Sequence, residues 1–306
     1  MKKDLLSIKD LSKEEILGIM DLAADVKKDP GKYADSLKGR SIGLIFQKPS
    51  NRTRVSFEIG MFQLGGHAIY LGSSEIGMGG RESVKDVACV LSRYLNGIVA
   101  RTYKHEVVDE LAKYASVPII NGLSDIAHPC QALGDMFTIR EKFGSVKGLT
   151  VSYVGDGNNV ANSLMLSALK LGMNMKVTTP KNYGPGSYII GIAKSLAKSS
   201  GASLEISNDP AKAAIGADAL YTDVWISMGQ EKEAAKRIKA FKAFQLNDKM
   251  VKKANKGYVV MHCLPAHRGQ EISDSVMDSK NSIVYDQAEN RMHVQKSILL
   301  KLLNGR

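Results

Sequence analysis

The sequence of 306 residues has little of what marks several classes of protein. Its three cysteines, Cys89, Cys130 and Cys263, are too few and too scattered for a disulfide framework. No apolar run approaches the roughly 18–20 residues that a membrane-spanning helix needs. The N-terminus is basic, but neither the apolar segment nor the cleavage site of a signal peptide follows it. These absences predict a globular protein of the cytoplasm with no membrane partner.

Signatures of nucleotide and nucleic-acid binding are also missing. The net charge of +11 suits an anionic partner, yet there is no zinc finger, RNA-binding signature or long basic tract. No G-x-x-x-x-G-K-[ST] loop is present. The run Gly155-Asp156-Gly157 has Val160 where a dinucleotide site needs a small residue for close helix packing. We therefore expect a solvated basic surface and no nucleic-acid partner, with salt-sensitive DNA binding as the alternative.

What the chain contains is a regular alternation of short β-rich segments with helical periodicity. Strands are predicted over residues 41–46, 68–71, 97–100, 117–120, 150–154, 176–179, 203–206, 219–222 and 258–261. This alternation argues for parallel sheets covered by helices on both faces. The predicted fold class is therefore α/β, with two doubly wound domains linked by interdomain helices.

The domain boundaries are predicted from the same pattern. A helix over Pro129–Phe143 is expected to connect a first domain, residues 1–130, to a second, residues 145–285. A C-terminal helix over residues 286–306 is expected to pack back on the first domain. In open parallel sheets, ligands bind beyond the carboxyl ends of the strands, so the residues that follow each strand are the functional candidates.

The helix after the first predicted strand begins with an unusual charge pattern. Arg52 and Arg54 fall in its first turn, where the helix dipole disfavours each cation by roughly 0.3–1 kcal/mol. A bound dianion would reverse that effect, because free N–H groups, hydroxyls and a guanidinium together make a phosphate cradle. The residues of this predicted cradle are Ser50, Asn51, Arg52 and Thr53. The alternative is that Arg54 pairs with Glu58 while Arg52 is simply solvated.

Two further expectations concern packing. Val55, Ile59 and Phe62 supply the apolar stripe of the same helix, and that face is expected to point to the core. Cys89 lies in an apolar helical stretch, so its side chain is also expected to pack.

Residues 50–54 resemble the S-T-R-T-R signature of the aspartate/ornithine carbamoyltransferase family, which binds the phosphate of carbamoyl phosphate. Asn51 stands where threonine is usual, so an amide would replace a hydroxyl contact. The run His128-Pro129-Cys130-Gln131 likewise resembles the H-P-C-Q motif of the ornithine enzymes in this family. From the residues alone, a histidine before a helix is more often a cap or a packed side chain.

The resemblance implies a set of contacts to carbamoyl phosphate. His128 would hydrogen-bond the carbamoyl oxygen and Gln131 the amino group, while Arg101, after a predicted strand, would contact the oxygen and the phosphate. Arg291 matches the family's last carbamoyl-phosphate arginine. Attack by an amine puts negative charge on the carbamoyl oxygen, and preorganised donors contribute roughly 2.7–4 kcal/mol apiece to stabilising it. Arg101 and His128 are therefore the predicted catalytic donors.

Two later motifs resemble the acceptor side of the ornithine enzymes. Asp223, Ser227 and Met228 match a D-x-x-x-S-M-G loop, in which the aspartate would bind the α-ammonium of ornithine and the other two would lie along it. Asn159 would bind the ornithine carboxylate. Without the family, the preferred interpretation of the first motif is a loop anchored by Trp225, the only tryptophan.

The run His262-Cys263-Leu264-Pro265 matches the family's H-C-L-P motif. The resemblance places Cys263, as a catalytic and carbamoyl-phosphate-binding residue, beside the reacting δ-amine, and has Leu264 offer its carbonyl to the carbamoyl NH₂. Metal binding through His262, Cys263 and His267 is the alternative, but no second ligand pair at a zinc-like spacing accompanies them. No metal is expected.

The matching motifs extend from residue 46 to residue 291 in the family's order. They imply transfer of the carbamoyl group to ornithine through a tetrahedral intermediate, with no cofactor, in a homotrimer or a multiple of trimers. In many relatives a glutamine on the loop after the second strand reaches a neighbouring subunit, and Gly77 stands there in this chain. Putrescine, an N-acylated ornithine or lysine as acceptor, and a regulatory protein that only binds carbamoyl phosphate, remain the alternatives. Both biosynthetic and catabolic use of the reaction stay open.

Overall fold

The chain folds as two compact units. The structure, a computed structural model, describes residues 3–227 and 229–304. The first unit comprises residues 1–137 and 289–306, and the second comprises residues 138–288. The chain crosses from one unit to the other within two long helices, Pro129–Phe143 and Val284–Leu303. No helix within the described ranges combines the length and the hydropathy that a membrane crossing requires.

In the first unit, strands and helices alternate from the N-terminus. Their bounds are α1 (Lys13–Lys28), β1 (Ser41–Phe46), α2 (Asn51–Gln63), β2 (His67–Gly72), α3 (Ser73–Ile76), α4 (Val84–Tyr94), β3 (Gly97–Arg101), α5 (His105–Tyr114), β4 (Ile119–Leu123) and α6 (Pro129–Phe143). The four strands form one parallel sheet in the order β2-β1-β3-β4. The N-terminal helix α1 precedes the first strand. It begins with a capping box formed by Ser12 and Glu15.

The second unit repeats the scheme with a larger sheet. Its elements are β5 (Thr150–Val154), α7 (Asn159–Lys170), β6 (Asn174–Thr178), α8 (Ser187–Ser200), β7 (Leu204–Ser207), β8 (Ala219–Thr222), α9 (Ala234–Phe241), α10 (Asp248–Val251), β9 (Val259–His262) and α11 (Asp274–Met277), followed by α12 (Val284–Leu303). The five strands are parallel, in the order β7-β6-β5-β8-β9. The predicted α/β class with two parallel sheets is confirmed.

Each sheet has one point at which the strand order reverses. In the first unit the chain runs outward from β1 to β2 and then returns to place β3 on the other side of β1. Phe46 and Arg101, the last residues of β1 and β3, are direct neighbours in the register. In the second unit the reversal lies between β5 and β8. Crevices at such points are the usual ligand sites of open parallel sheets, and the candidate residues follow these strands.

The burial of α2 differs from the prediction. Val55, Ile59 and Phe62 are 48%, 41% and 76% exposed. The residues that α2 buries are Thr53, Phe57, Gly60 and Met61. Both faces of this helix carry apolar side chains, so their spacing alone could not show which face packs on the sheet. The expectation for Cys89 is also wrong: this cysteine is exposed, because α4 buries Val84, Val87 and Ala88 on another face.

The loop that follows β5 has no room for a side chain at Gly157. A Cβ atom at that position would lie 2.3 Å from the carbonyl carbon of Gly184 and 2.3 Å from the nitrogen of Pro185. The Gly157 N–H also donates to the Tyr183 carbonyl at 2.8 Å. The two loops are therefore in direct backbone contact, which holds the residues after Gly157 in place.

This close approach can be tested by a pair of glycine substitutions. Gly157→Ala should lower the free energy of unfolding by about 1–3 kcal/mol, because backbone atoms must move to admit the methyl group. Gly191→Ala, in α8 with no atom near its added Cβ, should be neutral or stabilise by up to about 1 kcal/mol. Urea denaturation of the two variants measures the difference. Equal free energies of unfolding would contradict the backbone contact.

Candidate functional site

The N-terminus of α2 forms the first part of a site in unit one. Ser50 is the N-cap residue, and its Oγ accepts the Thr53 N–H at 3.3 Å. Thr53 is buried, and its Oγ1 accepts a hydrogen bond from Nη2 of Arg291 at 3.0 Å. Asn51 is exposed. The helix start thus carries the predicted hydroxyls, and α12 brings Arg291 to it.

A buried histidine lies among three guanidinium groups. His128 is 5% exposed and immediately precedes α6. Its pKa is held well below the usual value, first by burial and then by the positive charges of Arg291, Arg101 and Arg52. The imidazole is therefore neutral at physiological pH. Three cations around a neutral ring make a strongly positive site, and such a site suits an anion with more than one charge.

The two arginines of α2 differ in their surroundings. Arg54 lies on the outer side, with Nε 3.0 Å from Oε1 of Glu58 and its guanidinium stacked 3.9 Å above the ring of Tyr70. Arg52 is half-buried and close enough to His128 to lower its pKa. The alternative interpretation, in which Arg54 pairs with Glu58 and Arg52 is simply solvated, is therefore correct for Arg54 and wrong for Arg52.

The remaining residues of the H-P-C-Q run lie in α6. The side-chain amide of Gln131 donates to Oδ1 of Asp135 at 2.8 Å, so both side chains share one face of the helix, as their spacing predicts. Within the described part of the chain, no group donates to Oε1 of Gln131. Burial raises the pKa of the Cys130 thiol to about 12, and Sγ donates to the Asn121 carbonyl at 3.5 Å. Cys130 is therefore an unreactive packing residue.

A second cluster lies in unit two, beyond β5, β8 and β9. Asp223 follows β8, and its two carboxylate oxygens accept from different partners. Oδ2 accepts from Nδ2 of Asn158 at 2.8 Å, and Oδ1 accepts from the thiol of Cys263 at 3.0 Å. The structure thus joins two residues of the predicted acceptor site, Asp223 and Cys263.

Asn158, the neighbour of the predicted Asn159, is the asparagine that contacts Asp223. Its Oδ1 accepts the N–H groups of Val160 and Ala161 and so caps α7, which leaves Nδ2 to orient Asp223. Its position as a helix N-cap in the loop after β5 is a signal that the sequence offers. Asn159 lies next to it, and its side-chain oxygen accepts the Val160 N–H at 3.0 Å.

The loop after Asp223 is fastened by a buried arginine. Nε of Arg237 donates to the Trp225 carbonyl at 2.6 Å, and its Nη2 lies 2.6 Å from Oδ2 of Asp156. Burial raises the pKa of Asp156 to about 6, although the charge of Arg237 opposes that rise. The Ser227 N–H donates to Oε1 of Gln230 at 3.0 Å. The predicted residue Met228 lies outside the described residues.

The H-C-L-P turn follows β9. Leu264 has a φ of +57°, and the peptide bond to Pro265 is cis. Nδ1 of His262 accepts the Leu264 N–H at 2.8 Å, and Nε2 lies 3.1 Å from Oε1 of Glu271. Cys263 lies between His262 and Leu264 in this turn. Its backbone position is therefore set by the geometry on both sides.

The alternative of a metal site at His262, Cys263 and His267 is wrong in its membership. The possible ligand atoms that lie within 4.8 Å of one another among the described residues belong to Asp223, His262 and Cys263, and His267 is not one of them. Both ring nitrogens of His262 already make hydrogen bonds, so this ring can ligate only by breaking one of them. The Cys263 thiol and Asp223 are bonded to each other. The arrangement is better suited to hydrogen bonding than to metal binding.

The fold is shared with a known class of two-domain α/β transferases. Residues 3–141 match the family model for the carbamoyl-P binding domain of aspartate/ornithine carbamoyltransferase, and residues 147–302 match the model for its Asp/Orn binding domain. The chain belongs to the aspartate/ornithine carbamoyltransferase family.

Individual relatives are similar over the whole length. An ornithine carbamoyltransferase of Pyrococcus abyssi is 53% identical over 305 residues, covering 99% of this chain and 96% of that protein. A catabolic ornithine carbamoyltransferase of Thermoplasma acidophilum is 50% identical over 303 residues, covering 99% of each. The solved ornithine carbamoyltransferase of Pyrococcus furiosus superimposes with a TM-score of 0.96 at 52% identity, covering 99% of this chain and 97% of that one.

The different surroundings of Arg52 and Arg54 predict different effects on anion binding. Arg52→Ala should weaken the binding of inorganic phosphate by about tenfold or more, the usual loss for a hydrogen bond to a charged group. Arg54→Ala, in the same helix turn and with the same change of charge, should alter it by less than about twofold because Arg54 is paired on the surface. Isothermal titration calorimetry measures both. An equal loss in the two variants would show that only net charge matters.

Proposed function

We propose that the protein transfers the carbamoyl group of carbamoyl phosphate to the δ-amine of L-ornithine, giving L-citrulline and phosphate. The observation that carries this proposal is the neutral His128 among Arg52, Arg101 and Arg291. We assign residues 1–130 to a carbamoyl-phosphate domain and residues 145–285 to an ornithine domain.

The phosphate of the donor would be bound at the start of α2. Ser50, Asn51 and Thr53 offer backbone N–H groups and side-chain donors there, and the helix dipole favours the dianion. Arg52 supplies a guanidinium that can bind two phosphate oxygens at once. The dianion would also offset the mutual repulsion of the three arginines, so the site is stabilised by the ligand it selects.

The carbamoyl group would be polarised by Arg101 and His128. As the amine attacks, the carbonyl oxygen becomes negative, and donors already aimed at it lower the barrier without reorganisation. A neutral imidazole can donate one N–H to this oxygen while its other nitrogen stays unprotonated. Gln131 would accept from the carbamoyl NH₂ through Oε1, since its own amide is engaged with Asp135. The Leu264 carbonyl would accept from the same NH₂.

The acceptor would be bound by the second cluster. Asp223 would take the α-ammonium of ornithine, Asn159 its carboxylate, and Ser227 and Met228 would lie along the rest of it. The Asn158 amide and the Cys263 thiol, each bonded to Asp223, would keep that carboxylate oriented. Cys263 would lie beside the δ-amine. The anionic carbamoyl phosphate would thus be bound by arginines, and the ammonium group of ornithine by a carboxylate.

The chemical step would be direct attack of the neutral δ-amine on the carbamoyl carbon. The C–N bond forms, a tetrahedral intermediate carries its negative charge on the former carbonyl oxygen, and the C–O bond to phosphate then breaks. The leaving phosphate can accept the proton that the amine loses. The residues assigned here account for each charge that develops, and the step as written uses no cofactor.

An assay of citrulline formation tests the acceptor. Ornithine should give a kcat/KM about a hundredfold or more above those of putrescine and N-acetylornithine, which lack the free α-ammonium that Asp223 is proposed to bind. Asp223→Asn should reduce that preference for ornithine over putrescine, because both then lack a carboxylate partner. A wild-type enzyme that used putrescine as well as ornithine would overturn the assignment, and a protein that bound carbamoyl phosphate without turnover would be a regulator.

We further propose that the protein is a homotrimer or a multiple of trimers. The apolar stripe of α2, consisting of Val55, Ile59 and Phe62, is exposed in the single chain. Exposed apolar side chains grouped in this way on one helix face mark protein–protein contacts. A second copy of the chain is the proposed partner of the stripe.

A charged residue within the stripe tests the assembly. Phe62→Asp should reduce the mass in sedimentation velocity to that of a monomer, because burying an unpaired carboxylate opposes association. Tyr94→Asp, at a site of similar exposure on α4, should leave the mass unchanged. If Phe62→Asp assembled like the wild type, the stripe would not be the contact.

A further inference from the structure

A buried carboxylate lies behind the H-C-L-P turn. Glu271 is 0% exposed, and the Leu246 N–H donates to its backbone carbonyl at 2.9 Å. Its Oε1 accepts the backbone N–H of His267 and faces Nε2 of His262 at 3.1 Å. Burying a carboxylate is unfavourable unless it is well paired. The groups that bond to the Glu271 carboxylate should therefore explain why it is buried.

The hydrogen bonds of His262 define its tautomer. Nδ1 accepts the Leu264 N–H at 2.8 Å, so that nitrogen carries no proton. The proton of the neutral ring is therefore on Nε2, which donates to Glu271. The backbone N–H of His262 donates to the side-chain oxygen of Gln287 at 2.9 Å. The imidazole is held in one orientation and links the carboxylate to the turn.

The turn itself needs such support. Leu264, with its φ of +57°, occupies the left-handed region, which is unfavourable for a branched, non-glycine residue. The hydrogen bond from its N–H to Nδ1 of His262 favours this conformation. Cys263 lies between His262 and Leu264, and its thiol donates to Asp223 at 3.0 Å. A shift of the imidazole would therefore move both the thiol and the Leu264 carbonyl.

We propose that Glu271 is a positioning residue that acts through His262. It selects the Nε2–H tautomer and the ring orientation in which Nδ1 accepts the Leu264 N–H, and it thereby places the Cys263 thiol and the Leu264 carbonyl. The consequences for turnover rest on the proposed function, whereas the placement of the thiol does not. The role resembles that of carboxylates that orient histidines in other sites.

Two variants at position 271 separate hydrogen bonding from charge and packing. Glu271→Gln keeps an oxygen where Oε1 stands, and its NH₂ takes the place of Oε2, which accepts no hydrogen bond among the described residues. Glu271→Ala removes the acceptor. His262→Asn is a third variant, because an asparagine side chain can still accept the N–H two residues later but does not reach Glu271.

The first measurement does not depend on turnover. Peptide-resolved mass spectrometry follows alkylation of Cys263 by iodoacetamide, with the exposed Cys89 as internal control. A thiol bonded to a carboxylate is held in its protonated, less reactive form. Glu271→Ala and His262→Asn should speed modification of Cys263 by about tenfold, whereas Glu271→Gln should stay within about threefold of the wild type. Cys89 should react equally in all.

The second measurement is steady-state citrulline formation. Glu271→Ala should lower kcat about tenfold to a hundredfold, as loss of an orienting partner does, while the affinity for inorganic phosphate in unit one stays within about twofold. Glu271→Gln should recover most of the rate. A wild type without turnover would refute the proposed function alone, since alkylation still reports the positioning.

Three outcomes would overturn the proposal. One is a Glu271→Ala variant with wild-type Cys263 reactivity. Another is a Glu271→Gln variant as reactive at Cys263 as the alanine variant, which would show that charge rather than the acceptor matters. The third is a matching rise at Cys89, which would indicate general loosening of the fold. If the alanine variant fails to fold, His262→Asn and Glu271→Gln give the same comparison.

Discussion

The repulsion among three guanidinium groups around one buried imidazole is the constraint on which unit one depends. Arg52, Arg101 and Arg291 come from a helix start, a strand end and a C-terminal helix, and each depresses the pKa of His128. Like charges gathered around one side chain repel each other, and a bound anion would offset that repulsion. The scaffold must therefore hold the arginines in place whenever the anion is absent.

The C-terminal helix α12 supplies much of that support. Beside the contact of Arg291 with Thr53 at the start of α2, the buried Lys296 donates to the side chain of Gln63, the last residue of α2, at 2.9 Å. Ser297 donates to the Ile19 carbonyl of α1 at 2.8 Å. Both ends of α2 are thus bonded to α12. Because a helix is rigid over this length, the two contacts fix the direction in which the free N–H groups of α2 point.

Unit two solves the opposite electrostatic problem. Its central group, Asp223, is a carboxylate that must stay available for a cation, so neutral donors rather than arginines surround it: an amide from Asn158 and a thiol from Cys263. The buried cation of the following loop, Arg237, is engaged by Asp156 and the Trp225 carbonyl. Neutral donors orient a carboxylate without cancelling its charge, which is what recognition of an ammonium requires.

The sequence by itself determined the α/β class, the order of the strands along the chain and the residues that follow them. These features are local: strand and helix periodicities, an N-cap, and short motifs whose residue types suit an anion or an amine. Only the tertiary structure decided which apolar face of α2 is buried, that Arg54 lies outside the site, and that Asn158 and Glu271 support it. Those features depend on contacts between residues that are distant in sequence, such as Asp223 with Cys263. A local pattern of side chains does not specify which distant residue each side chain will contact.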